Sequence, residues 1–240
     1  MKKYGLIGQS LAHSFSKPYF TEKFAEIRID ASYENYEVDA LESLEWLLEQ
    51  DISGCNVTMP YKKKAAELVD EVDPVAEAVG AINTIKRVGS KLIGYNTDVV
   101  GFEQSILETG LLSQIHQRAL ILGSGGAAQA VSFVLRKLGF SYAIVSRTSG
   151  DFVYEDIDAS VMSSVGLVVN TTPLGNKDNL AAFPPLPYHF FDEKHLAYDL
   201  IYNPEKTVFL EKAEAQGASI ITGLRMLVLQ AEASWEIWNS

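Results

Sequence analysis

The chain has 240 residues, 47% of them hydrophobic, which is enough for one large globular domain or two modest ones. Its formal net charge of −11 disfavours nucleic acid and anionic lipid as partners, because an acidic surface repels phosphate groups. Cys55 is the only cysteine and the four histidines lack metal-type spacing, so an internal disulfide and a thiol-based zinc site are excluded and no metal is expected.

In the first half of the chain, short apolar segments alternate with segments of helical periodicity. Strands are predicted at three of the apolar segments, residues 3–8, 33–38 and 54–58. Helices are predicted through Phe20, Phe24 and Ile27 and through the leucines of residues 41–48. Gly89-Ser90 separates segments 81–86 and 91–95 and predicts a hairpin.

The second half repeats the alternation, which predicts an α/β fold with largely parallel sheets. Strands are predicted at residues 118–122, 142–146, 167–170 and 197–200, with a helix at residues 127–138. A last helix has one apolar stripe, formed by Leu227, Ala231, Trp235 and Trp238, and is long enough to return to the first domain. We therefore expect an N-terminal α/β substrate-binding catalytic domain, residues 1–100, completed by residues 224–240, and a Rossmann-type domain, residues 101–223.

A glycine-rich segment lies between a predicted strand and a predicted helix and matches G-x-G-x-x-G/A. It runs through Gly123, Ser124, Gly125, Gly126, Ala127 and Ala128. Gly123 permits the tight turn, and Gly125 lets the backbone approach a pyrophosphate at the positive end of the helix dipole. The alternative is an ordinary glycine-rich turn, but the strand–turn–helix context favours a dinucleotide.

The next predicted strand ends in Ser146, Arg147 and Thr148, without the acidic residue that usually binds the ribose of NAD. A guanidinium with two hydroxyl neighbours suits a 2′-phosphate, so the pattern favours NADP. The alternative for Arg147 is a solvated surface arginine.

Three segments of the first half carry small polar residues where a core would not place them. Ser14 and Ser16 alternate after the first strand, where helix capping is the simpler interpretation of Ser16. Thr58 and Lys62 follow the third strand, although Lys62 read alone is a surface lysine like its two neighbours. Asn83 and Asp98 bracket the predicted hairpin, where each by itself is more typical of a turn.

Taken in order, eight segments resemble the shikimate dehydrogenase family over nearly the whole chain. They are residues 12–16, 56–62, 80–84, 96–98, 123–127, 146–148, 199–204 and 223–231. The resemblance implies an enzyme that interconverts 3-dehydroshikimate and shikimate with NADPH in aromatic amino acid biosynthesis.

The resemblance also implies roles for individual residues. Lys62 and Asp98 would form the catalytic pair. The substrate would be bound by Ser14, Ser16, Thr58, Lys62, Asn83, Asp98, Tyr202 and Gln230. NADP would be bound by Gly123, Ser124, Gly125, Gly126, Ala127, Ser146, Arg147, Thr148, Gly223 and Met226.

The chain departs from the family pattern in three places. Ser146 stands where the family usually has Asn, and Asn176 where it often has Met. The helix that usually follows residue 148 is predicted to be shortened or absent, which opens the adenine pocket.

The expected partner is a small-molecule acid, taken up by a monomer or a homodimer. No apolar run reaches the about 20 residues of a membrane span, and the N-terminus does not resemble a secretory signal, so a cytoplasmic protein is expected. Two alternatives stay open: a quinate/shikimate dehydrogenase of broader specificity, and a non-catalytic nucleotide-binding sensor.

Overall fold

The computed structural model describes residues 1–12, 14–148 and 150–240. The chain divides into two compact units. Unit 1 comprises Met1–Thr97 and Ala231–Ser240, and unit 2 comprises Asp98–Gln230. The predicted ranges, 1–100 with 224–240 and 101–223, stay a prediction about domains, because compactness alone does not show that either unit folds by itself.

Unit 1 is built on a six-stranded sheet, which we call sheet A. Its strands are β1 (Lys2–Gly8), β2 (Ala31–Glu37), β3 (Ile52–Val57), β4 (Glu71–Val72), β5 (Thr84–Val88) and β6 (Lys91–Tyr95). Their order is β2-β1-β3-β5-β6-β4, with β5 antiparallel to both of its neighbours and the other pairs parallel. The helices of the unit's first segment are α1 (Ser16–Glu26), α2 (Glu45–Glu49), α3 (Lys62–Leu68) and α4 (Pro74–Val79).

Two apolar clusters cover the two faces of sheet A, so unit 1 has three layers. Tyr4 on β1 packs with Phe20 of α1 and with Trp238 near the C-terminus. Ile7, which points to the opposite face of the same strand, packs with Leu47 of α2 and Ala65 of α3. Each face of sheet A is therefore covered by its own set of helices.

The C-terminal end of the chain belongs to unit 1, as the apolar stripe predicted. The last helix, α9 (Leu224–Asn239), enters this unit at Ala231. There Trp238 Nε1 donates to Ile85 O at 2.9 Å, and Lys23 pairs with Glu232 at 2.6 Å. The predicted return of this helix to the first half of the chain is confirmed.

Unit 2 is built on a five-stranded parallel sheet, which we call sheet B. Its strands are β7 (Arg118–Leu122), β8 (Ser141–Val145), β9 (Leu167–Asn170), β10 (Leu196–Asp199) and β11 (Ser219–Ile221), in the order β11-β10-β9-β7-β8. The helices are α5 (Asp98–Leu107), α6 (Gly126–Lys137), α7 (Ala159–Ser164), α8 (Val208–Glu214) and the start of α9. Parallel strands joined by helices confirm the predicted Rossmann-type architecture.

Several local predictions differ from the structure. Sheet A is mixed rather than parallel, because the two strands of the predicted hairpin run antiparallel. The first strand of this hairpin, β5, begins at Thr84 rather than at residue 81. Helix α2 covers only Glu45–Glu49, since Ser43 Oγ accepts from Glu45 N at 3.1 Å and forms a local turn in place of an earlier helical start. Leu41 and Leu44 are nevertheless buried.

Candidate functional site

Three predicted substrate residues of unit 1 lie at one edge of sheet A. Strands β1, β3 and β6 end at this edge and β5 begins there, because β5 is antiparallel. Thr58 follows β3, and its amide donates to Ile7 O at 2.9 Å. Asn83 precedes β5, and the Ile82 amide beside it donates to Lys62 O at 3.0 Å. The fold therefore brings Thr58, Lys62 and Asn83 to the same edge.

Lys62 differs from the two lysines that follow it. It is the first residue of α3 and is half-buried, whereas Lys63 and Lys64 are exposed. A lysine at a helix N-terminus is disfavoured by the helix dipole. The partial burial and the unfavourable position together support a functional role over that of a surface lysine.

The two predicted carboxylate-binding serines follow β1 at the same edge. Ser14 Oγ accepts from the Ser16 amide at 3.2 Å, so Ser14 rather than Ser16 makes the local turn at the start of α1. Ser16 is buried and is the first residue of α1, whose N-cap position is Phe15. The capping interpretation of Ser16 is therefore wrong. His13, between Ala12 and Ser14, lies outside the described residues.

A buried network of amides and hydroxyls lies behind these residues, and we call it the amide–hydroxyl network. Its members are Tyr33, Asn56, Asn83, Thr84, Thr97 and Ser234. Asn56 accepts from the Tyr33 hydroxyl at 2.8 Å and donates to Ser234 Oγ at 2.8 Å. Asn83 Oδ1 accepts from the Thr97 amide at 2.7 Å, which orients the Asn83 side chain.

In unit 2, the glycine turn connects β7 to α6 as predicted. Gly123 has φ +107°, and a Cβ there would lie 2.8 Å from Thr171 Oγ1, so only glycine suits the turn. Gly125 is the N-cap of α6, and a Cβ built on it meets no atom within 4 Å. This open space beside the N-terminus of a 12-residue helix fits a pyrophosphate.

Ser146, Arg147 and Thr148 follow β8 at the same carboxyl edge of sheet B as the glycine turn. Ser146 is buried, and its Oγ accepts from the Thr148 amide at 3.4 Å. Arg147 and Thr148 are exposed, which leaves both side chains accessible to a phosphate. Burial raises the pKa of Tyr154 above its ordinary value, and the charge of Arg147 acts in the opposite direction.

The segment after Thr148 carries no α-helix before Ala159 in its described residues, which agrees with the prediction that this helix is shortened or absent. It folds back on β8: Asp151 Oδ2 accepts from Ile144 N at 2.8 Å, and Ser146 N donates to Phe152 O at 3.1 Å. Among the described residues between Val145 and Ala159, the only helical segment is the single turn Tyr154–Asp156. Ser149 lies outside the described residues. Residues 151–152 therefore cover the outer edge of β8.

The remaining predicted residues of unit 2 lie on α5, on the start of α9 and after β10. Asp98 is buried in the first turn of α5, and Gln230 is buried on α9. Gly101, one turn beyond Asp98, brings these helices together, since a Cβ there would lie 2.6 Å from Met226 O and 3.0 Å from Gln230 Cβ. Tyr202 is half-buried in the loop after β10.

Sequence reasoning placed residue 199 in one of the family-like segments but assigned no role to its carboxyl group, which is buried at the end of β10. Asp199 is fully buried and accepts from Asn170 Nδ2 at 3.0 Å, Ile201 N at 3.0 Å and Thr207 Oγ1 at 2.6 Å. Burial raises its pKa to about 6, and the three hydrogen bonds act in the opposite direction. The amide–hydroxyl network was also missed, because its members are far apart in the chain and carry no motif.

Two further properties of the described residues concern membranes and metal ions. No helix in this part of the chain is long and apolar enough to cross a membrane. Within the same ranges, no group of three or more His, Cys, Asp or Glu side chains is arranged to hold a metal ion.

Comparison with known proteins gives matches over the whole length. A family model described as the shikimate dehydrogenase substrate binding domain matches residues 6–85. A shikimate dehydrogenase (NADP(+)) of Caldicellulosiruptor saccharolyticus is 36% identical over 99% of this chain and 92% of its own length. The corresponding protein of Thermus thermophilus is 33% identical over 100% of this chain and 93% of its own length.

A solved structure shares the complete fold. The crystal structure of the shikimate 5-dehydrogenase of Thermus thermophilus in complex with NADP(H) and shikimate has a TM-score of 0.85 to this chain. It is 32% identical, and the match covers 99% of this chain and 93% of that chain.

Proposed function

This chain belongs to the shikimate dehydrogenase family, and from that premise we propose that it reversibly reduces 3-dehydroshikimate to shikimate with NADPH. It is an NADP-dependent oxidoreductase acting on a CH–OH group, and its reaction belongs to the shikimate pathway of aromatic amino acid biosynthesis.

The observation that carries the proposal is the gathering of Thr58, Lys62 and Asn83 at one edge of sheet A. These three polar residues come from two separate segments, residues 58–62 and residue 83, which lie where β3 ends and β5 begins. A structural role would not require a half-buried lysine there, whereas a small hydroxylated acid needs several hydrogen-bonding groups and a proton donor.

The reaction requires a hydride and a proton at one carbonyl group. When bound, NADPH supplies the hydride to the carbonyl carbon. We assign the proton to the Lys62 ammonium, which donates it to the carbonyl oxygen and takes it back in the reverse direction. Asp98 is the second member of the catalytic pair and orients the reacting groups. Ser14, Ser16 and Tyr202 bind the substrate carboxylate, and Thr58, Asn83 and Gln230 bind the ring hydroxyls.

The residues present fit the dinucleotide. Residues 123–127 would hold the pyrophosphate at the start of α6, where Gly125 leaves open space. Ser146, Arg147 and Thr148 would hold the 2′-phosphate, since Arg147 and Thr148 are exposed at the same sheet edge. Gly223 and Met226 would line the nicotinamide side.

The direct test is an oxidation assay with the purified protein. NADP⁺ is added with shikimate, quinate or a related hydroxy acid, and absorbance of the reduced cofactor is followed. We expect turnover on shikimate. Comparable turnover on quinate would instead favour the enzyme of broader specificity, and NADPH binding without turnover on any acid would favour the sensor.

A further inference from the structure

We propose that Asp199 is a positioning residue that holds the substrate-side and cofactor-side loops of unit 2 in one arrangement. The inference rests on the proposed function, and it assigns a task to a buried carboxylate that the reaction itself does not use. We call the group formed by Asn170, Asp199, the Ile201 amide and Thr207 the Asp199 hub.

The first connection leads from Asp199 to Tyr202. Asp199 Oδ1 accepts from the Ile201 amide at 3.0 Å and so fixes the backbone immediately before Tyr202. Asp199 Oδ2 accepts from Thr207 Oγ1 at 2.6 Å, beyond the other end of the same loop. Thr207 is also the N-cap of α8. The carboxylate therefore closes the loop that carries the predicted carboxylate-binding tyrosine.

The second connection leads to the glycine turn. Asn170 Nδ2 donates to Asp199 Oδ1 at 3.0 Å, and Asn170 Oδ1 accepts from Thr172 Oγ1 at 2.7 Å. Thr171, between them, donates through its hydroxyl to Leu122 O at 2.6 Å, and a Cβ built on Gly123 would lie 2.8 Å from that hydroxyl oxygen. Asp199 thus orients the segment against which the predicted pyrophosphate turn is packed.

The third connection leads to Gly223, on the predicted nicotinamide side. The carbonyl of Ile201, whose amide bonds to Asp199, accepts from the Gly223 amide at 3.1 Å. A Cβ on Gly223 would lie 2.2 Å from Leu200 O, so the two segments are in close backbone contact. A shift of residues 200–201 would therefore move Gly223 as well.

The chemistry of the hub favours a carboxylate in particular. Two of its donors converge on Oδ1 and the third on Oδ2, so each oxygen accepts at least one hydrogen bond. Hydrogen bonds to an ionised acceptor are stronger than neutral ones, which makes the carboxylate a firmer anchor than an amide. Fully burying a carboxylate is costly, so the position is poorly explained by stability alone.

The main test uses Asp199→Asn, which keeps the shape and removes the charge. We expect the dissociation constant of NADPH, measured by fluorescence titration, and KM for shikimate to rise together by about threefold to tenfold, the loss of one to two moderate hydrogen bonds. We expect kcat to fall less, because no group that touches the reacting atoms is changed.

A second pair of variants covers the case in which Asp199→Asn does not fold. Thr207→Val removes one donor of the hub without changing shape, and Thr207→Ser keeps the hydroxyl. We expect Thr207→Val to raise the NADPH dissociation constant and KM for shikimate in the same ratio as Asp199→Asn does. Thr207→Ser should keep both constants within about twofold of wild type.

Two control variants separate positioning from stability. Tyr198→Phe removes a buried hydrogen bond to Ser105 from the neighbouring residue of β10, on the opposite side of the strand. Asp158→Ala removes the N-cap of α7, which matches the cap that Thr207→Val removes from α8. Both controls should lower the unfolding temperature and leave KM and the NADPH dissociation constant within about twofold of wild type.

The outcomes are distinct. If the Asp199 and Thr207 variants change only the unfolding temperature, as the controls do, the positioning role is wrong and the proposed function stands. If the wild-type protein does not oxidise shikimate, the proposed function fails. In that case NADPH affinity and hydrogen exchange at the Ile201 and Gly223 amides still decide whether Asp199 positions these loops.

Discussion

At the edge of sheet A where β1, β3 and β6 end, the amide–hydroxyl network is built from neutral side chains, whereas at the carboxyl edge of sheet B the central buried group is the Asp199 carboxylate. Asn56 joins a hydroxyl from β2 to one from α9 in unit 1. Asp199 joins the last residue of β9 to both ends of the loop between β10 and α8 in unit 2. Both arrangements satisfy polar groups that would be costly if buried without partners.

The difference lies in how each arrangement responds to pH. Burial raises the pKa of Tyr33 well above its ordinary value, so this member of the amide–hydroxyl network stays neutral. The pKa of Asp199 is raised to about 6, close to physiological pH. A neutral network holds its geometry across a wide pH range, while a carboxylate gives firmer hydrogen bonds at the cost of burying a charge.

The largest expected effect tests whether the edge of sheet A carries the chemistry. Lys62→Ala should lower kcat by about two to four orders of magnitude, the usual size of an acid–base contribution, while shikimate still binds. Lys63→Ala is the matched control, since Lys63 is the exposed neighbour on the same helix, and it should behave like wild type. Turnover of Lys62→Ala close to that of the control would remove Lys62 from the mechanism.

The next effect tests the neutral network. Asn56→Ala leaves the Tyr33 hydroxyl and the hydroxyls around Ser234 without their central partner, and should lower the free energy of unfolding by about 3 kcal/mol. Urea unfolding near pH 5 and near pH 8 should give the same loss. Asn35→Ala, which breaks one bond to Leu11 O, is the control and should cost about 1 kcal/mol. A loss that changes with pH would show that a titrating group takes part.

The third effect tests cofactor recognition at the edge of sheet B. Arg147→Ala should weaken binding of NADPH by about tenfold or more and binding of NADH far less, because only NADPH has the 2′-phosphate. Dissociation constants of both cofactors measure this, with Arg136→Ala, another exposed arginine of unit 2, as control. Equal weakening of the two cofactors would contradict the 2′-phosphate assignment.

The smallest effect tests the charged hub. The folded-state pKa of Asp199, about 6, lies above its ordinary value of 3.8, so folding favours the protonated form. Its contribution to the free energy of unfolding therefore decreases as pH rises from about 4 to about 6, and is level above that. Asn has no such titration, so wild type should lose about 1 kcal/mol relative to Asp199→Asn between pH 5 and pH 8.

Among the described residues, Tyr188 is a titratable neighbour of the hub that this measurement must take into account. Burial raises the pKa of Tyr188 far above its ordinary value, and the charge of Asp199 raises it further, so Tyr188 stays neutral between pH 5 and pH 8. Adding Tyr188→Phe to both wild type and Asp199→Asn should leave the pH-dependent difference in their free energies of unfolding unchanged. A constant difference between wild type and Asp199→Asn across this pH range would mean that Asp199 does not titrate there.

The predictable part of the molecule is the part encoded in short segments. The strand–glycine–helix segment at residues 118–128 and the hairpin around Gly89 follow from local turn chemistry and periodicity, and both are present. The short helix α2 shows the limit of such prediction. Leu41 and Leu44 have helical spacing and are buried, but they lie in the loop before the helix. An apolar pattern predicts which side chains are buried more reliably than it predicts the backbone that carries them.

The alternation of strands and helices, the turn at Gly123 and the candidate residues at strand ends can be inferred from sequence, because each depends on neighbours a few residues away. Only the tertiary structure decided that Asn56 meets Ser234, 178 residues later, and that Asp199 is buried among three donors. Burial and hydrogen-bond partners between distant segments arise from the packing of whole sheets and helices, and no local pattern of residue types specifies them.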